Sequence, residues 1–204
     1  MSFSELARRR RMTRAFLPDA VAEETLHRVL DAARRVPSAG NAQGFDLVVL
    51  VGAAETARYW DATLPADRRA GFAWPGLPAC PVLVTVWANP DAYTARYAEP
   101  DKAATGLGDR AAWHTPYWLV DASFAALALQ YAAIDEGLGV LFFAMFGHAD
   151  AVRAALGVPA GREPVGTVAV GHPDPAGSPP GAGAARPRRP LLDGADAVVH
   201  RGCW

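Results

Sequence analysis

The sequence predicts one α/β or α+β domain, and three observations carry that expectation. A chain of 204 residues that is 51% apolar and 20% charged is long enough to bury a substantial core. Three short apolar runs, 45–51, 81–88 and 165–170, are rich in β-branched residues and read as largely buried strands. Around them lie stretches of helical periodicity, one of which, 118–136, is apolar almost all round.

Ser2 and Glu5 have capping-box spacing, so a short first helix starts there, ends near Met12 and delivers Arg8 to Arg11. A second helix is expected over 22–36, where Leu26, Val29, Leu30, Ala33 and Val36 share one face and Pro37 stops the run. The 53–78 stretch begins helically, after which Pro65, Pro75, Gly76 and Pro78 argue for irregular structure. The 89–115 stretch is also weakly patterned, and insertions of this kind serve as lids or substrate-facing loops. The helix over 118–136 lacks a polar stripe and needs cover on all sides, which a second subunit would supply in a domain this small. Gly137 and Gly139 end it, 140–146 is strand-like, and 149–156 is a short helix before Gly157. A single domain over 1–204 follows, with 172–190 as an extended C-terminal segment rich in Pro, Gly and Ala.

Composition narrows the function. Lys and Arg number 20 against 21 Asp and Glu, so no global charge draws the chain to nucleic acid or to an anionic membrane. No secretory apolar stretch follows Arg11, and the 118–138 segment is interrupted by Asp121, Gln130, Asp135 and Glu136, so a cytoplasmic protein is expected. Cys80 and Cys203 lie far apart, which signals neither a disulfide scaffold nor a zinc site. The five histidines show no metal-ligand spacing, and the glycine-rich phosphate loops and the nucleophile elbow are missing from the sequence. No metal and no catalytic side chain is expected.

Two arginine groups stand out in a neutral chain: Arg10, Arg11 and Arg14 near the start, and Arg186, Arg188 and Arg189 near the end. Guanidinium forks bind phosphate bidentately, so the groups could converge on one dianion if the tail folds back; a solvated basic face is the competing reading. The 37–43 loop, PSAGNAQ, combines small residues with Asn41 and Gln43, a pattern suited either to the polar edge of a flat heterocycle or to an ordinary helix-to-strand connection. His114 sits in an aromatic run, 113–118, that packing explains as well as a pocket does.

These motifs occur in an order that resembles the FMN-dependent nitroreductase family. Residues 10–16, RRMTRAF, are similar to the family's R-R-S-x-R-x-F opening, and 37–43 to its P-S-x-x-N-x-Q signature. The likeness continues through Tyr117 to Asp121, Asp135 to Gly139, Pro164 to Gly166 and the terminal arginines. The resemblance implies an α+β fold with a mixed sheet flanked by helices, an intertwined homodimer, and FMN held by residues of both chains. Carried over by position, it implies that Arg10 and Arg11 bind the phosphate and ribityl chain, that Arg186 and Arg188 bind the phosphate, and that Arg189 could substitute in that register. Arg14 falls beside the flavin N1 and C2 carbonyl, where a positive charge favours the reduced ring. Pro37, Ser38, Ala39 and Asn41 would reach the isoalloxazine from the partner subunit, and Ala144, Met145, Phe146 and Gly147 would lie near its N5 side. Met12 stands where many relatives have Ser, which removes one hydroxyl from the phosphate site.

The implied reaction is ping-pong: NADH or NADPH gives hydride to flavin N5 and leaves, and an electron-poor small molecule such as a nitroaromatic or quinone takes its place. Three competing readings remain. A branch of the family could dehydrogenate, dehalogenate or cleave flavin; the chain could store or sequester a flavin or deazaflavin; or it could be a cofactor-free interaction protein with a basic tail.

Overall fold

The structure is a computed structural model and describes residues 2–177, 186–192, 194 and 197–203. Four strands form one sheet: β1 (Phe45–Val51), β2 (Val82–Ala88), β3 (Gly139–Phe143) and β4 (Glu163–Gly171), in the order β1-β2-β4-β3. Every pair is antiparallel. The mixed character expected of the sheet is confined to an isolated parallel bridge between Met12 and Val140 at its β3 edge.

Strand alternation sends side chains to two faces, and each face has its own core. Val82, Val84, Val86, Val140, Val168 and Val170 pack under α2 (Glu23–Ala33) and α6 (Tyr117–Asp135). Leu50, Leu83, Trp87, Leu141 and Ala169 pack on the other side, with Tyr59 and Trp60 of α3 (Gly52–Thr63) and Val152 of α7 (Ala149–Leu156). The β2 strand is buried along its whole length because both layers cover it. Its Thr85 is tolerated there because the hydroxyl accepts the Trp87 indole N–H at 2.9 Å.

Several expected boundaries move, each for a tertiary reason. The capping box of α1 (Phe3–Arg9) forms, but the helix stops at Arg9 because the Thr13 N–H is taken by the Val140 carbonyl at 2.7 Å. The second helix is shorter at both ends than 22–36. The strand-like run 140–146 ends as β3 at Phe143 and gives way to a 3-10 turn at Phe146–His148. The 53–78 stretch contains α3 and a single turn, α4 (Ala66–Arg69). The weakly patterned 89–115 stretch hides α5 (Pro90–Ala98), opened by Pro90 at the first helical position, where its missing N–H costs nothing.

Helix α6 is long and apolar enough to cross a membrane by length and composition, yet one side of it is buried against α2 and the sheet. Its outer side is not covered: Phe124 is 44% exposed and Leu127 41%, with Tyr117 two helical turns before Phe124 on the same flank. The C-terminal segment expected to run extended falls partly outside the described residues, at 178–185; Arg186 to Leu192 are exposed and irregular.

Candidate functional site

The segment after α1 is threaded between two partners. Beyond the Met12–Val140 bridge, Phe16 bridges Pro173, its N–H reaches the Gly76 carbonyl at 3.1 Å, and the Leu17 N–H reaches His172 at 2.9 Å. The fit against β3 is close enough that a Cβ on Gly139 would stand 2.8 Å from the Thr13 hydroxyl. Arg10 to Arg14 are therefore held along the β3 edge of the sheet. One terminal nitrogen of Arg10 is buried with no hydrogen-bond partner among the described residues. Such a group costs free energy unless something accepts from it, which marks the place as suited to an anion.

Arg14 opens into a cavity of about 440 Å³ whose walls come from both sides of this edge. Tyr59 and Trp60 of α3, Phe72 and Trp74 of the following loop, and Phe143 of β3 supply aromatic surface, and Ala144, Met145 and His148 complete it. The Arg14 guanidinium carbon lies 5.2 Å from the Trp74 ring centre, and a terminal nitrogen donates to the Met12 carbonyl at 3.4 Å. Trp60 stacks on Phe143 with planes 5° apart, and Tyr59 meets both edge-on. Burial pushes the Tyr59 hydroxyl up to about 12, so it stands protonated at neutral pH, accepting from Thr167 at 3.1 Å. The arrangement is a flat, apolar slot with one fixed positive charge at its mouth. Such an arrangement can bind a flat apolar ring and act on it electrostatically.

Several expected site residues meet here and others do not. Arg14, Ala144 and Met145 share the cavity, and Gly147 lies in the turn beside His148. Met12 turns its side chain into the apolar core, so its backbone is what it can offer a ligand. Arg11 lines a separate recess with Thr13, Gly139 and Pro173. Arg186 and Arg188 are exposed and make no hydrogen bond or ion pair among the described residues, while Arg189 donates to the Ala197 carbonyl at 2.7 Å. Of the two irregular stretches expected to face substrate, 53–78 lines the cavity and 89–115 does not.

The 37–43 loop sits at the opposite corner of the sheet. Register runs Val140, Val170, Val82, Val51 in one row, whereas Phe45, next to the loop, stands beside Ala88 and Glu163 six residues along. Strand spacing puts the corners roughly 14 Å apart across the sheet and about 20 Å along it. Within one chain, Pro37, Ser38, Ala39 and Asn41 do not reach Arg14. The loop is tightly built nonetheless. Gly40, Asn41 and Gln43 all have positive φ (62°, 56° and 49°), the Ser38 hydroxyl accepts the Gln43 N–H at 2.9 Å, and Arg96 donates to the Gly40 carbonyl at 2.9 Å.

Two residues under this loop escaped sequence reasoning. Asp121, 2% exposed in the first half of α6, accepts the Ala39 N–H at 2.8 Å and the Tyr93 hydroxyl at 2.7 Å. Burial and the adjacent carboxylate push the Tyr93 hydroxyl well above its ordinary range. The available signals were an acidic residue inside an apolar helix and its place at the end of the 117–121 stretch of likeness, neither of which gives it a role. His114, by contrast, is exposed, and the aromatic run around it packs edge-to-face among Tyr93, Tyr97, Trp113 and Trp118.

The family described as the nitroreductase family matches residues 7–172. NfrA2 of Bacillus megaterium superposes with a TM-score of 0.70 at 20% identity, over 98% of this chain and 74% of that one. A nitroreductase family protein of Clostridium novyi NT gives 0.66 at 22% identity, over 86% and 87% of the two chains. An FMN-dependent nitroreductase of Clostridium difficile R20291 gives 0.61 at 19% identity, over 83% and 86%. No curated protein matches the sequence.

Proposed function

Because this chain belongs to the nitroreductase family, we propose that it is an FMN-dependent NAD(P)H oxidoreductase, a single cofactor-binding domain that works as a cytoplasmic homodimer on small electron-poor acceptors. The observation that carries this reading is the convergence of Arg14, Ala144 and Met145 on one aromatic slot, beside an edge segment whose Arg10 has a buried nitrogen without a partner among the described residues. The slot fits a flat conjugated ring, and the arginine fits a phosphate. FMN, when bound, supplies a ring that takes up and gives back hydride at N5.

The chain's own residues then have distinct tasks. Arg10 and Arg11, with Arg186 and Arg188 from the tail, would hold the phosphate through charge-assisted hydrogen bonds. Arg14, steadied by the Trp74 face, would place a permanent positive charge beside the bound ring, where negative charge accumulates on reduction. Ala144, Met145 and Gly147 offer backbone and small side chains that leave room for the ring. Aromatic walls give the slot a largely apolar lining.

The 37–41 loop completes such a site only from a second subunit, since its own chain keeps it at the far corner of the sheet. The uncovered face of α6, with Phe124 and Leu127, supports that assembly because apolar surface of this kind is normally buried against a partner.

The test is the visible absorbance of the purified protein before and after anaerobic addition of NADH and, separately, NADPH. A yellow protein that bleaches with a nicotinamide and recovers colour when a quinone or nitroaromatic is added is the expected result. A yellow protein that neither nicotinamide bleaches would support storage or sequestration instead. A colourless protein that takes up no added FMN would overturn the cofactor reading.

A further inference from the structure

We propose that Asp121 is a positioning residue for the cofactor: its buried carboxylate, together with the Tyr93 hydroxyl, holds the 38–43 loop in the shape that meets the flavin ring across the subunit interface. The inference rests on the FMN reading above and adds residues to it.

Asp121 stands in an otherwise apolar part of α6, between core alanines and the loop. Removing a carboxylate from water is costly, and among the described residues no cation pairs with Asp121 to offset it. A leucine of similar size would serve the core better, so packing does not account for an aspartate here. Its hydrogen bonds do. Both donors, Ala39 N–H and Tyr93 O–H, converge on one oxygen.

That oxygen anchors the loop where its backbone is most constrained. Gly40, Asn41 and Gln43 are all left-handed, and for Asn41 and Gln43 that region carries a conformational cost which the surroundings must offset. The surroundings are rigid. A Cβ on Gly40 would stand 2.8 Å from the Tyr97 ring, one on Gly44 would stand 2.4 Å from Tyr93, and Arg96 is fixed on Gly40 by two hydrogen bonds to Asp101 at 2.8 Å each. Inside the loop the Asn41 N–H is taken by Ser38 and that of Ala42 by Ala39, while the Ser38 and Gly40 N–H groups have no acceptor among the described residues. Pro37 and Asn41 remain exposed. A strained loop, braced from beneath by a buried carboxylate, thus holds two backbone donors, the Ser38 and Gly40 N–H groups, that have no acceptor among the described residues. Donors fixed in this way bind a polar ring edge without first losing conformational freedom.

The experiment compares Asp121→Ala, Asp121→Asn and Tyr93→Phe in the full chain. It reads FMN affinity by fluorescence titration, the flavin visible band and midpoint potential, and amide exchange of residues 38–43 without FMN. Losing hydrogen bonds to a buried charged group should make Asp121→Ala bind FMN about ten- to a hundred-fold more weakly, shift the flavin band and potential, and speed exchange in the loop. Asp121→Asn should recover most of the affinity and band position, because an amide oxygen can accept the same two donors. Tyr93→Phe should fall between, and it carries the test if Asp121→Ala does not fold. Wild-type affinity, potential and exchange in Tyr93→Phe and Asp121→Ala would overturn the positioning role. So would equal loss in all three variants with loop exchange unchanged. A wild-type protein that binds no FMN would overturn the cofactor reading itself, a signature none of the variant comparisons shares.

Discussion

Arg14 and the two cysteines show how much environment adds to residue type. Arg14 stands out in the sequence as one of the arginine group near the start, and its place beside the ring is what the family resemblance implies, but its aromatic support, Trp74, lies in an irregular stretch sixty residues on that no spacing links to it. Replacing Arg14 by Gln keeps a polar side chain and removes the charge, and should weaken FMN binding by about ten-fold or more, read by fluorescence titration. The cysteines differ in the opposite way from what their equal sequence standing suggests. Burial pushes the Cys80 thiol up to about 12, with its hydrogen bonded to the Val82 and Val170 carbonyls, whereas Cys203 is exposed. Iodoacetamide at pH 8 should therefore modify native protein at Cys203 alone, with Cys80 reacting only after denaturation, as peptide mass spectrometry would reveal. Met12, where the resemblance implies a missing hydroxyl, forms an isolated bridge to Val140 and packs its partly buried side chain against the core.

Helix α6 joins the core, the candidate site and the proposed interface. Leu129, fully buried between α2 and the sheet, and Leu127, 41% exposed, are two residues apart and face different partners. Leu129→Ala should cost about 2–5 kcal/mol of unfolding free energy, measured by urea denaturation, because a cavity opens in a packed layer. Leu127→Glu should leave the fold intact and shift sedimentation from dimer to monomer, since a charge there cannot be buried against a second copy. A dimer that survives Leu127→Glu would count against this face as the interface. The helix itself was readable from its apolar run to within a residue at each end. The α5 helix was not, because its residues alternate without a clear apolar stripe and its order comes from Tyr93 and Tyr97 docking among other aromatics.

Alkaline stability is a property of the molecule as a whole. Cys80 and Tyr59 both have folded values raised to about 12, from ordinary values of 9.0 and 10.0. A raised value means the folded state holds the proton more tightly than the unfolded chain, so these groups support folding fully below pH 9. As pH rises from 9 toward 12 that support is lost, because the unfolded chain ionises first. Urea midpoints at pH 7, 9 and 10.5 should be similar for the first two and lower for the third. Across the molecule, the helix and strand identities other than α4 and α5, and the arginine segment, were readable locally, since periodicity, capping and Pro or Gly stops act over a few residues. The β1-β2-β4-β3 order, the stop of α1 at Arg9, the cavity between α3 and β3, and the brace from Asp121 to Ala39 were not. Each of these depends on pairings between residues far apart in the chain, and such contacts exist only once the sheet has brought its edges and both covering layers together.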